Sequence, residues 1–499
     1  MFKKYFFLIF FLVLSAVAQI SIWSTGHNWG GDFSAYIMQA ISLTDSTVQE
    51  FIEQNSFTVY ESSSNIGPVT YPWGFSLLLS PLFLFFGLDI IIFKSLVLVF
   101  FLSFIAVLWF LFKDELTQIE LLIFMSLFAF NPYFLKFGDE IISDIPFLFF
   151  STFSILVFSK LHKVRSRNSL YLVGILLGLS FAAATSIRTN GVLLPVTYLI
   201  MLFIFSVRSF LPLNKAFDFL WMSINEHQAK HKILIYSMPL VFFFIPIWLL
   251  GYLIPDHSGS HLIHFENVTI KSIFGNFLYY SVLVKDFFGE SPLNIIIYFL
   301  SLPLLLLGLR EKLTNSTTIL VYVFLTIVLY ILWPYRQGLR FIFPVLPFYL
   351  FFVFIGLRSV RLILGKINNI EFIAPLIVLV VLIFQSSFHI FSNISNNRYL
   401  SDGPFTSDAQ EMFSFIRENV PKSEVVVFRK PRVLRLFTGN NSLYYDNFNS
   451  FKYRQWYVID KKNPIKFDLV KEDFFNLYPA LLVFENSQFK VFKFDFKYP

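Results

Sequence analysis

Trp29-Gly30-Gly31-Asp32-Phe33-Ser34-Ala35-Tyr36 follows closely on an apolar run from Tyr5 to Trp23. A run long enough to span a bilayer, then a carboxylate among small and aromatic residues, puts Asp32 at a membrane surface. From Ser24 to Phe93 the chain has no Lys or Arg, while Asp32, Asp45, Glu50, Glu53 and Glu61 are acidic. Cytoplasmic loops of membrane proteins are rich in Lys and Arg, so this loop is expected outside. A carboxylate held there is placed to serve as general base toward a lipid-linked substrate. The plainer reading is a hydrophilic loop whose acids keep it out of the cytoplasm.

Composition agrees with a membrane chain. Hydrophobic residues make up 56% and charged residues 14%, against about 25% charged in soluble domains, and mean hydropathy is +0.66. The 69 Phe are read as lipid-facing bulk. Absence of Cys excludes a disulfide framework, a thiolate metal site and a cysteine nucleophile. The net charge of +7 sits largely in short loops and in the tail. There it orients the chain or meets anionic lipid, and no nucleic-acid partner is read from it. Met1-Phe-Lys-Lys with Ser15-Ala-Val-Ala18 resembles a cleavable signal peptide, but the apolar run continues through Ile20, Ile22 and Trp23, so a retained anchor is expected.

Twelve apolar runs follow the chain, at 5–23, 74–88, 90–112, 119–135, 145–159, 169–187, 191–207, 233–254, 292–309, 317–334, 341–357 and 372–390. Lys3-Lys4, Lys160-Leu-His-Lys-Val-Arg-Ser-Arg167, Arg208 to Lys232, Arg310-Glu-Lys312 and Arg358 to Lys366 mark cytoplasmic loops. If every run crossed, Lys160–Arg167 would fall outside. The run at 74–88, short, containing Pro81 and ending at Gly87, is therefore expected to lie at the outer interface. That leaves about eleven spans. Loop 24–89, segments 136–144, 255–291 and 335–340, the turn at Arg188 and everything after 391 share one external face. Residues 1–390 are expected to form the membrane domain and 391–499 a small external α/β domain. In that tail we expect a helix at Ser407–Asn419, a strand at Glu424–Phe428, a short helix from Pro431 to Gly439 and a hairpin of Leu481–Phe484 with Phe489–Phe494.

Further candidates lie on the same face. Gly138-Asp-Glu-Ile-Ile-Ser-Asp144 holds Asp139, Glu140 and Asp144 beside hydrocarbon. Crowded carboxylates raise one another's pKa unless a cation is near, although Asp144 before Pro146 also suits a plain helix cap. Arg188-Thr-Asn-Gly191 breaks two apolar runs, and Arg336-Gln-Gly-Leu-Arg340 stands before Phe-Ile-Phe-Pro-Val-Leu-Pro347. Guanidinium groups there suit a phosphate head group; the alternative is snorkelling to bulk lipid. Tyr36 and His264 are read as substrate-contacting. His257, His261 and His264 have helical spacing, but no carboxylate pattern completes a metal motif, so no metal is assigned. No phosphate-binding Gly loop, dinucleotide fingerprint or nucleophile elbow is present.

The ordered set resembles the GT-C glycosyltransferases, in the family 39-like branch of dolichyl-phosphate-mannose protein mannosyltransferases and bacterial aminoarabinose transferases. The resemblance is carried by Gly31-Asp32, Tyr71-Pro-Trp-Gly-Phe-Ser-Leu-Leu-Leu-Ser-Pro81, Asn131-Pro-Tyr-Phe with the acidic loop to Asp144-Ile-Pro-Phe, Arg188-Thr-Asn-Gly191 and Arg340 to Pro347. It covers roughly 1–390. It implies a polyprenyl-phosphate sugar donor, an acceptor glycan, lipid or protein, inverting transfer without a cofactor, and a bacterial inner membrane with the site facing the periplasm. It further implies Asp32 as base, Asp144 as second acid with Asp139 and Glu140 as rivals, and Arg340 on the donor phosphate. The alternatives are an oligosaccharide transferase or ligase that uses a pyrophosphate-linked donor and a divalent metal between Asp32 and the second acidic loop, and a transporter or flippase. A transporter, however, places its ionisable groups mid-membrane in repeated halves.

Overall fold

The computed structural model describes the chain except residues 1, 65, 162–163, 165, 211–231, 256–267, 290–291, 365–369, 396–399, 446–454, 465–479 and 495–499. In chain order the helices are α1 (Phe2–Ile22), α2 (Gly31–Thr44), α3 (Val48–Glu61), α4 (Trp73–Phe86), α5 (Ile90–Phe112), α6 (Gln118–Ala129), α7 (Pro132–Gly138), α8 (Asp144–Leu161), α9 (Arg167–Ile187), α10 (Leu193–Phe210), α11 (Lys232–Leu253), α12 (Ile270–Leu283), α13 (Leu293–Lys312), α14 (Thr317–Leu332), α15 (Leu346–Leu364), α16 (Ile370–Ser395), α17 (Ser407–Asn419) and α18 (Pro431–Thr438). Among the described residues seven helices are long and apolar enough to cross a membrane. With the bent pair α6–α7 and four shorter apolar helices, they account for all twelve apolar runs. The protein is a polytopic α-helical membrane protein.

Two runs behave in instructive ways. The run at 119–135 is not one rod: α6 and α7 meet at 55°. Pro132 has no N–H to continue the ladder, and Asn131 caps the new start by accepting from the Tyr133 N–H at 3.0 Å. The run at 74–88 forms α4, whose 14 residues reach only about 21 Å at 1.5 Å each, short of a hydrocarbon core of about 30 Å. Gly87 ends it at φ +65, and Asp89 starts α5 by accepting from the Ile91 and Ile92 N–H groups.

Charges divide the bundle into two ends. At one, Glu115 pairs with Lys312 at 2.8 Å, and Arg358 grips Glu120, which also closes a capping box with Thr117. At the other meet Asp32, Asp144, Arg188 and Arg340.

After α16 the chain forms a five-stranded sheet in the order β2-β1-β3-β5-β4, from β1 (Val425–Val427), β2 (Ser442–Leu443), β3 (Gln455–Asp460), β4 (Ala480–Glu485) and β5 (Phe489–Phe494). β1 pairs in parallel with β2 and β3, and β5 pairs antiparallel with β3 and β4. The tail helices fall where the sequence places them. Thr406 caps α17 and Gly439, in the left-handed region, ends α18. Trp29 fastens this domain to the bundle. Its ring lies edge-on to Phe413, Phe428 and Phe489, and its Nε1 donates to Asp402 at 2.6 Å. One apolar core thus continues from the helices into the sheet domain.

Candidate active site

Each charged group of the site stands at an element boundary, which fixes its backbone while leaving its side chain free to point inward. Asp32 is in the first turn of α2, and Asp144 is the first residue of α8; helix N-termini favour carboxylates. Arg188 caps α9 and Arg340 lies in the 3-10 turn Gly338–Ile342 that leads to α15. Gly191 lets this corner close, since a Cβ there would come within 2.5 Å of the Ala184–Thr185 backbone. Gly74 does the same for α4, whose start lies against Ser186.

These residues converge on a cavity of about 750 Å³. Arg340 Nη1 donates to Asp32 Oδ2 at 3.1 Å and stands 3.9 Å from Asp144 Oδ2. Arg188 Nη1 donates to Asp144 Oδ1 at 2.6 Å. The sequence is Asp32–Arg340–Asp144–Arg188, alternating in sign. The Tyr71 hydroxyl donates to Asp32 Oδ1 at 2.7 Å, and Tyr36 shares a 2.7 Å hydrogen bond with Ser143. Asn190 donates to the Tyr330 hydroxyl at 2.5 Å. Arg336 also lines the cavity; it donates to Asn276 Oδ1 at 2.9 Å and lies over the Tyr279 ring. The remaining wall includes Ile187, Val192, Leu193, Leu329 and Trp333, an apolar side between α9–α10 and α14.

The electrostatics follow from this order. Burial pushes the Asp32 carboxyl up, but Arg340, the Tyr71 hydroxyl and the Arg432 charge together outweigh it and hold the group below its ordinary value. Asp32 is thus ionised, while a third of its side chain stays open to the cavity. Burial raises the Tyr71 and Tyr36 hydroxyls, which therefore stay protonated.

Asp139 and Glu140 do not line the cavity. Asp139 meets Lys94 Nζ at 2.5 Å and accepts from the Ser24 N–H and hydroxyl at 3.0 and 2.8 Å. Lys94 is fully buried and also donates to the Ser24 and Gly26 carbonyls. Glu140 accepts from Asn28 Nδ2 at 3.1 Å. His27 stacks on Phe33, donates from Nδ1 to the Asn28 carbonyl and accepts the Ile141 N–H on Nε2 at 3.1 Å. Burial, with the Lys94 charge beside it, pushes this imidazole down to about 3, so it stays neutral. Together these groups tie the 24–30 segment to the acidic loop. His257, His261 and His264 lie outside the described residues. Sequence reasoning passed over Lys94, although a lone cation in the apolar run 90–112 is itself a signal of a buried partner. It also passed over the roles of Tyr71, Asn190, Tyr330 and Arg432.

No protein-family profile matches the chain, and no curated protein matches it in sequence. Solved structures do match in shape. The ArnT of Cupriavidus metallidurans bound to undecaprenyl phosphate aligns over 97% of both chains with TM-score 0.61 and 11% identity. Its apo form aligns over 98% of both with TM-score 0.59 and 11% identity. The archaeal oligosaccharyltransferase AglB of Archaeoglobus fulgidus, in complex with an inhibitory peptide and a dolichol-phosphate, aligns over 89% of this chain and 64% of its own, with TM-score 0.53 and 12% identity. The likeness to ArnT runs through the sheet domain as well as the helices, and the chain has the GT-C fold.

Proposed function

We propose that this protein is a membrane glycosyltransferase that moves a sugar from a polyprenyl-phosphate-linked donor to an acceptor hydroxyl, with inversion, on the external face of a bacterial inner membrane. The observation that carries the reading is Arg340 standing between Asp32 and Asp144 at the cavity wall. It gives one carboxylate a position open to an acceptor and gives a leaving phosphate a guanidinium to meet. The shape shared with ArnT bound to undecaprenyl phosphate and AglB bound to a dolichol-phosphate supports a lipid-phosphate donor. The apolar wall between α9–α10 and α14 suits the first isoprene units.

In this mechanism the acceptor oxygen attacks the anomeric carbon from the face opposite the phosphate. The bond from that carbon to the phosphate oxygen breaks, and Asp32 takes the acceptor's proton. Donor phosphate entering the site draws Arg340 toward itself and frees Asp32 Oδ2; Arg340, with Arg336, then holds the departing charge. Asp144, gripped by Arg188, keeps Arg340 in place. Arg340 stands between the two acids, and no step of this mechanism is assigned to a divalent cation.

The test is transfer itself. Glycans and glycolipids of a strain lacking the gene are compared by mass spectrometry with those of the same strain carrying wild type or Asp32→Asn. A sugar that appears with wild type and not with Asp32→Asn supports the reading; one that appears with both removes Asp32 as base. Reporter fusions near Asp45 and Asn440 outside, with Ser166 inside, test the sidedness.

A further inference from the structure

The C-terminal domain reaches the site through α18, whose sequence context is Arg429-Lys-Pro-Arg-Val-Leu-Arg435. Arg429 pairs with Asp460 at 2.7 Å and lies over Trp29. Arg432 and Arg435 turn the other way, into the segment that joins α2 to α4. Both are 3% exposed. Neither has a carboxylate partner among the described residues. Arg435 donates to Asn55 Oδ1 at 2.6 Å and Thr58 Oγ1 at 2.9 Å on α3. Arg432 donates to the Pro68 carbonyl, and its guanidinium carbon lies 5.7 Å from the Tyr71 ring centroid. Its Nε has no hydrogen-bond partner among the described residues. Burying a guanidinium so far from any paired anion costs free energy, which asks what it does there.

Gly67 answers geometrically. Its φ is +107, and a Cβ on it would lie 3.1 Å from Arg432 Nη1 and 3.4 Å from the Tyr71 hydroxyl oxygen. Guanidinium, loop and hydroxyl therefore converge at one point, and that hydroxyl donates to Asp32. We propose that Arg432 is a positioning residue for the Asp32 carboxylate, acting through Tyr71 and the loop at 66–71. The inference rests on the reading of Asp32 as base, and it makes the C-terminal domain part of the site's machinery.

A cation over an aromatic face holds the ring, and the bond to Pro68 holds the loop that carries it. The Tyr71 hydroxyl is thereby aimed at Oδ1, leaving Oδ2 to Arg340. Only a planar group both stacks and donates sideways, so Arg suits the position and Lys does not. The charged and titratable groups that face Asp32 are Arg340 from the turn before α15, Tyr36 from its own helix, Tyr71, His27 from the preceding segment, and Arg432 and Lys430 from the C-terminal domain.

The experiment reads the protonation of Asp32 without any donor. Dicyclohexylcarbodiimide adds across its C=N bond the oxygen and proton of a protonated carboxyl, and the adduct rearranges to a stable N-acylurea that peptide mass spectrometry detects. Full-length protein in detergent is labelled across pH as wild type, Arg432→Gln, Tyr71→Phe and the double variant, with folding checked by size-exclusion chromatography. Arg432→Gln should move labelling of Asp32 upward by about one pH unit. Tyr71→Phe should also move it upward, and the double variant should move it by clearly less than the sum of the singles, the remainder being the Arg432 charge acting directly on Asp32. An unmoved profile in Arg432→Gln overturns the proposal. So does a double variant whose shift is the full sum of the singles, because Arg432 then acts independently of Tyr71. If Arg432→Gln does not fold, Gly67→Ala replaces it, with the same upward shift expected and an unmoved profile counting against the proposal. Transfer surviving in Asp32→Asn would remove the base reading and leave the labelling outcome standing on its own.

Discussion

Asp139 and Asp144 lie on one short loop, and both are met by a cation, at 2.5 Å by Lys94 and at 2.6 Å by Arg188. Around Asp139 the partners are complete: a fully buried ammonium, a backbone N–H and a hydroxyl, all fixed by the segment after α1. Around Asp144 the pairing continues outward, through Arg340 to Asp32 and the cavity. The difference lies in whether the cation has somewhere else to go. Lys94 is enclosed by carbonyls of Ser24 and Gly26, whereas Arg340 keeps a face on the cavity where another anion can compete for it. A saturated pair fastens; an unsaturated one can exchange partners.

The comparison is broken most easily at the fastened pair. Lys94→Met leaves Asp139 a half-buried carboxylate without its ion partner, and loss of about 2–3 kcal/mol of stability is expected, less than for a fully buried pair. Thermal unfolding in detergent measures it; a melting curve like wild type would mean that the pair fastens nothing. Next in size is the open pair. Asp32→Asn should cut transfer by about 10²-fold or more while the melting curve stays near wild type. Collapse of the fold in Asp32→Asn would erase the contrast between the two regions. A third effect sharpens it. Arg340→Ala should weaken undecaprenyl phosphate binding by about tenfold or more, the worth of a charged hydrogen bond. Arg340→Lys should recover only part of that, since an ammonium loses the two-point geometry. Equal affinity in all three proteins would take Arg340 off the donor phosphate.

The smallest effect concerns His27, between the two regions. Its folded value lies near 3 and the unfolded value near 6.5. In that window the unfolded chain binds the extra proton, so the stabilisation is present above about pH 6.5 and is lost as pH falls. From pH 7 to pH 6 the loss is about 0.7 kcal/mol. His27→Gln should remove this part of the pH dependence of unfolding, and an unchanged slope would assign it to other groups.

The bundle was legible because spans announce themselves by length and composition. The twelve apolar runs correspond to helices, and α17, α18 and the terminal hairpin follow from their caps, Pro431, Gly439 and alternation. The break at Asn131-Pro132 was less legible, since the run through it stays apolar on both sides. The sequence shows that Asp32, Asp144, Arg188, Arg336 and Arg340 stand at element ends, and the structure brings all five to one cavity. It does not show that Asp139 is closed off, because its partner is 45 positions away inside a helix. Nor does it show that Arg432, one of the four cations between Arg429 and Arg435, lies over Tyr71. Pairings across such separations are set by packing, and local pattern carries no trace of them.

Trp29 is bound to Asp402 across 373 positions of sequence. A ribosome completes the indole long before the sheet domain that receives it. Until then the first loop has no anchor beyond the bundle, and the loop over Asp32 lacks α18 behind it. An interrupted chain can insert its spans and still carry an unfastened first loop. The first loop is thus fastened only once residues 373 positions further along have been made.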